Sequence, residues 1–156
     1  QWVAQEDEAQ LNARQEILRQ GLRRLGAKLS WQEPKASLLE AVLSRGDRRL
    51  GKAIYHAWKL GAKFDAWNEH FNYDNWQRAF TESGLDPTFY AHRQRTFDER
   101  LPWAHIDLGV TTTFLKKEFN SAMKGEETSD CRYNDCHICG LQRWHRDCQQ
   151  KAKARS

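Results

Sequence analysis

A mainly α-helical fold is predicted for this 156-residue chain, and three observations predict it. Helix-capping residues and glycine stops alternate along the first 125 positions. Between them, apolar residues recur at three- and four-residue steps, the spacing of one helix face. The only stretch of alternating character, Ala27 to Trp31, is too short to anchor a sheet. All four cysteines fall within Cys131 to Cys148, so the expected organisation is a helical domain over 1–130 and a cysteine-rich tail over 131–156 ending in basic residues.

Composition is compatible with a packed core. Seven Trp and seven Phe supply large apolar side chains despite a mean hydropathy of −0.91. Twenty-five basic against twenty-one acidic residues leave a net charge of +4, which permits an anionic partner without requiring one. With no secretory signal and no apolar run long enough to span a bilayer, no membrane role is expected and a reducing cytoplasm is the default compartment. The first residue is Gln1 rather than Met, which reads as a fragment or a processed product.

The first helix is expected over Glu6 to Leu25, with Leu11, Leu18, Leu22 and Leu25 on one face, Arg14, Arg19, Arg23 and Arg24 on the other, and Gly26 as its stop. An extended linker leads to Pro34. A second helix opens at Ser37, where Ser37 and Glu40 form a capping box, and ends near Gly46. Asp47 caps a third helix to about Leu60 that buries Leu50, Ile54, Ala57 and Trp58. At this junction Arg45, Arg48 and Arg49 surround a helix start, a setting for a phosphate, a carboxylate or a partner surface. A surface corner in which Asp47 caps and pairs with an arginine is the simpler alternative.

Phe64, Trp67, Phe71, Tyr73, Trp76 and Phe80 read as core, since the charges interleaved with them are mostly acidic and unsuited to nucleic acid. Asp74 to Ser83 forms a helix stopped by Gly84, and Asp86-Pro87 starts another. After a non-helical corner from Leu101 to Asp107, a last helix opens at Thr112 or Thr113 with Leu115, Phe119 and Ala122 facing inward. In that corner His105 and Asp107, two residues apart, suit an acid/base pair or metal ligands, or else are satisfied structural groups.

The tail carries the chemistry. Cys131, Cys136 and Cys139 stand at C-x4-C-x2-C spacing, with Gly140 next and Cys148 nine positions beyond Cys139. The two-residue gap turns Cys136 and Cys139 toward one ion while Gly140 relieves the backbone, and Cys148, His137 or His145 can complete the set. Zinc or an iron-sulfur cluster satisfies those ligands, and spacing does not choose between them. Two disulfides or four unrelated thiols are the alternatives. Arg143, Arg146, Lys151, Lys153 and Arg155 give the same tail a basic character that suits RNA or another acidic partner.

The order of motifs resembles the C-terminal region of a family of bacterial radical S-adenosylmethionine proteins, uncharacterised and often carrying a cobalamin-binding-like domain before the radical barrel. The resemblance rests on Gln1-Trp2 with Gln5, on Leu39 through Leu50, on Ala57-Trp58 with Gly61, and on Phe64-Asp65 and Glu69-His70-Phe71. It continues through Gly84 to Pro87, Leu101-Pro-Trp103, His105-Ile-Asp107, Gly109-Val110 and the cysteines Cys131, Cys136 and Cys139. The family usually has Asp where Ala104 stands and a further Cys where Gln142 stands.

The resemblance implies an irregular helical extension of a radical barrel, with that barrel as its partner and a cysteine-bound cluster at its end. S-adenosylmethionine and the four-iron four-sulfur cluster would belong to the preceding part, because this chain lacks a C-x3-C-x2-C triad and is not catalytically complete alone. A stand-alone zinc-binding module contacting RNA is the alternative expectation.

Overall fold

The computed structural model describes residues 1–153, with only the backbone of 151–153. Among the described residues the chain is mainly α, with seven α-helices, one short 3-10 turn and no strand. It divides into two compact units, Gln1–Pro102 and Trp103–Ser156, so the division lies upstream of the expected 130/131 boundary and the cysteine tail shares its unit with the last long helix.

The first unit holds α1 (Glu8–Arg24), α2 (Pro34–Arg45), α3 (Leu50–Lys59), α4 (Tyr73–Ser83) and α5 (Pro87–Ala91). Its core joins Leu39 and Val42 of α2, Leu50, Ala53 and Ala57 of α3, Trp76, Ala79 and Phe80 of α4, and Tyr90 and Ala91 of α5. Small residues on α3 and α4 allow close approach. His56 meets Glu82 at 3.1 Å, and the Asn75 side chain donates to the Leu60 carbonyl at 3.0 Å across the same pair of helices.

Several expectations are corrected here. The helix α2 starts at Pro34, three residues before Ser37, because Glu33 takes the capping role and accepts from the Ala36 amide at 2.9 Å while Pro34 fills the first turn. In α3 the buried stripe is Leu50, Ala53 and Ala57, and Ile54 and Trp58 face outward. Phe64 and Trp67, read as core, are 58% and 56% exposed; only Trp76 and Phe80 of that aromatic run are buried. The helix α1 buries none of its residues, and Leu18 and Leu25 of its apolar face are exposed.

The N-terminal segment is sewn into this unit. Trp2 is buried and packs edge-on against Phe97 at 4.9 Å. The Arg95 amide donates to the Trp2 carbonyl at 2.9 Å, and the Gln5 amide donates to the Ala91 carbonyl at 2.9 Å.

The second unit contains α6 (Thr112–Met123), the 3-10 turn Leu141–Arg143 and α7 (Arg146–Lys153). Thr111 caps α6 through its side chain, which accepts from the Phe114 amide at 3.2 Å. No residue of α6 is fully buried, and Ala122, expected inward, is exposed. No helix of the described residues is long and apolar enough to cross a membrane.

Candidate metal centre

Three local devices hold the cysteine segment. Asp130 anchors a turn, accepting from the Arg132 amide at 2.8 Å while its carbonyl accepts from the Asn134 amide at 3.0 Å, and this sets Cys131 at the turn's start. Thr128 donates to Glu118 of α6 at 2.6 Å and so ties the approach to that helix. His137 donates through Nε2 to the Ser129 carbonyl at 2.7 Å, so this imidazole nitrogen is engaged in the fold.

The turn between Cys136 and Cys139 is the most constrained backbone of the unit. Ile138 adopts φ 53°, left-handed and unfavourable for a β-branched residue, and Gly140 follows at φ 118°. Gly140 is buried, and a Cβ there would fall inside the van der Waals radius of the Gly109 carbonyl oxygen and against Thr111. The close approach has a purpose: the Thr111 amide donates to the Cys139 carbonyl at 2.7 Å, and the Gly140 amide donates to Gln142 Oε1 at 2.8 Å. A strained turn persists only where its surroundings hold it, and here they hold the cysteine pair.

The 101–107 corner contributes to that support. Asp107 Oδ1 accepts from the Gly109 amide at 2.8 Å and pairs with Arg143 at 3.5 Å. Arg143 reaches the carbonyls of Gly109 at 3.4 Å and Gly140 at 3.3 Å. Asp107 therefore works as a positioning residue for the cysteine turn. His105 lies exposed two residues away. The guanidinium of Arg143 is engaged in this scaffold, Arg146 is exposed at the start of α7, only the backbone of Lys151 and Lys153 is described, and Arg155 lies outside the described residues.

All four cysteines are thiols, with Cys136 buried and the others half-buried. The Cys148 thiol is pushed up from its ordinary value, first by desolvation and then by the charge that Cys131, Cys139, Cys136 and Asp147 place near it. A thiol senses all three of the others only when the four share one neighbourhood. They do not form a closed cage: among the described residues no group of three or more His, Cys, Asp and Glu side chains is set to hold a metal ion.

In the arginine cluster of the first unit the structure shows the simpler of the two arrangements considered, a surface corner in which Asp47 pairs with an arginine. Arg45 donates to the carbonyls of Val3 at 3.0 Å and Ala91 at 3.1 Å, and so fastens the N-terminal segment. Arg49 pairs with Asp47 at 2.7 Å and lies over the Phe89 and Tyr90 rings, while Arg48 is exposed.

Arg95, which no sequence pattern singles out, is the buried cation among the described residues: its side chain is 1% exposed. It donates to the Tyr90 carbonyl at 3.0 Å and approaches Glu99 at 3.8 Å. Burial, then the charge of Arg93, pushes it below its ordinary pKa, with Glu99 opposing. No family model matches the chain, and neither a curated protein nor a solved structure matches it.

Proposed function

We propose that the C-terminal unit is a cysteine metal-binding module, with Cys131, Cys136, Cys139 and Cys148 as its ligands. The observation that carries this reading is the Cys136–Cys139 turn. A left-handed isoleucine and a buried glycine are held in place by Gly109, Thr111, Asp107 and Arg143, so the fold keeps two cysteines at fixed separation at the expense of local strain. Knuckles of this kind present two thiolates to one soft ion, with Cys131 and Cys148 approaching from separate supports. Arg143 serves the scaffold, which favours a metal module over a basic tail reaching for RNA.

The order of motifs from Gln1 to Gly140 supports a further step: the chain is the C-terminal region of a radical S-adenosylmethionine protein, packed on the barrel that would carry the C-x3-C-x2-C cluster. On that reading the tail metal is an iron-sulfur cluster rather than zinc, and the protein works in the cytoplasm. The test is anaerobic purification with metal analysis and a visible spectrum. Stoichiometric iron with broad absorption in the blue region supports the cluster, and one zinc in a colourless protein supports the module without the radical parent. If neither metal binds and Cys136→Ser leaves stability unchanged, the four residues are ordinary thiols.

A further inference from the structure

The positive charge of this chain is concentrated in one place. From Arg48 to Phe64 there is no Asp or Glu, while Arg48, Arg49, Lys52, Lys59 and Lys63 fall within those seventeen positions. With these five set aside, twenty basic residues face twenty-one acidic ones, so the net excess resides in this stretch. It comprises α3 and the turns on either side of it.

Helical geometry turns that excess onto one face. Leu50, Ala53 and Ala57 are buried in the core, whereas Arg48, Lys52, Tyr55 and Lys59, at steps of four, three and four residues, lie on the opposite side and are exposed. Asp47 is taken by Arg49, and Glu82 stands near His56 and Arg78; among the described residues Arg48, Lys52 and Lys59 have no acidic partner. Beside the cations, Tyr55 and Trp58 stack with ring centroids 5.9 Å apart and planes 26° from parallel, each about half open to solvent. The Lys59 ammonium stands 4.6 Å from the Tyr55 ring centre, and an open groove runs between the two aromatic side chains and Ala62 and Lys63.

We infer that the outward face of α3 binds a single-stranded nucleic acid, with phosphates along Arg48, Lys52 and Lys59 and bases against Tyr55 and Trp58. A row of cations tracking the backbone beside rings that stack on bases is the chemistry that holds single strands without reading their sequence. From Arg48 to Lys59 the track rises about 16 Å, which at about 3.4 Å per stacked nucleotide covers about five nucleotides, inside the range of single-strand sites. A duplex keeps its base faces paired and stacked and offers the two rings nothing. An acidic peptide uses the cations and leaves the aromatic pair idle. A bilayer pressed onto this face would take Lys63 and Asp65 of the groove out of water. The carboxylate of Asp65 is half-buried beside Lys63, on the groove side rather than on the track.

The experiment titrates the full chain into fluorescein-labelled oligo(dT) and oligo(U) of about 12 nucleotides and follows anisotropy at a series of salt concentrations. Saturable binding that weakens with salt is expected. Lys52→Gln combined with Lys59→Gln should reduce the slope of log affinity against log salt by about 1.4, two phosphate contacts at about 0.7 each. Trp58→Ala should weaken binding about tenfold, the loss of one base stack, and leave that slope unchanged. The lysine variants sit on the exposed face of α3 and keep the test valid if Trp58→Ala does not fold. Arg146→Gln with Lys151→Gln, in the basic tail, should alter neither affinity nor slope. The inference is overturned by absence of binding at the lowest salt, by a slope that falls in the tail variant and not in the Lys52 and Lys59 variant, or by tighter binding to a duplex of the same length, to polyglutamate or to phosphatidylserine vesicles than to the single strands.

Discussion

Gly140 shows how a single residue decides whether the cysteine turn exists. At φ 118° and packed against the Gly109 carbonyl and Thr111, it has no room for a side chain. Gly140→Ala should lower stability of the second unit by about 2 kcal/mol or more, from the conformation and the clash together. It should also abolish metal uptake, read by metal content after purification. Glu99 offers a pH-dependent counterpart in the first unit. Hydrogen bonding to Arg93 holds its carboxyl below the ordinary value, with the charges of Arg93 and then Arg95 adding to that against the cost of burial. A depressed carboxylate contributes stability that is present above its ordinary pKa of about 4.3 and disappears as pH falls through the lower folded value. Glu99→Gln should therefore be less stable than the parent protein at pH 7, by about 1 kcal/mol in chemical denaturation, and the gap should narrow as pH falls below the ordinary carboxylate range.

Helices were legible in the sequence where punctuation is local and obscure where burial depends on distant partners. Asp86-Pro87, Gly84 and the start of α6 near Thr112 stand where capping chemistry placed them, because a cap needs only its own turn. The start of α2 did not, since capping rules favour Ser37, whereas Glu33, outside the usual capping set, accepts from the Ala36 amide and Pro34 fills the first turn. Burial was the weaker inference. Ile54, Trp58, Phe64 and Trp67 have the residue types of a core, yet α4 packs on the alanine face of α3, a choice that periodicity alone cannot reveal. Of the site, the cysteines and Gly140 were visible as a motif, whereas Asp107 and Arg143 support them across 36 residues of sequence. At this scale α5 makes a sharp prediction. It is five residues long and depends on Asp86, which accepts from the Thr88 amide at 2.8 Å. Asp86→Ala should cost about 1 kcal/mol in a chemical-denaturation midpoint, and Asp86→Asn should recover most of it.

For the whole molecule, the division at Pro102 separates the aromatic helical core from the cysteine scaffold. If the proposed metal is bound, stripping it with a strong chelator should accelerate hydrogen exchange at the amides of Gly109 to Thr111 and Cys139 to Arg143 while α2 through α5 keep their protection. Equal loosening of both parts would count against a metal role confined to the tail. The sewn-in N-terminal segment also sets an order in time. Its His92 to Gln5 hydrogen bond closes across 87 residues, its Val3 and Trp2 carbonyls accept from the Arg45 side chain and the Arg95 amide, and its Gln5 amide donates to the Ala91 carbonyl. At synthesis rates of about 5–20 residues per second, Trp2 waits roughly 5–19 s before Phe97, the ring it packs on, is made. During that interval a large apolar ring at the leading end of the unit stands open to water and to chaperones. The last long-range closure of this domain is therefore made by some of its earliest residues, and conditions that slow elongation lengthen the period in which it is prone to aggregate.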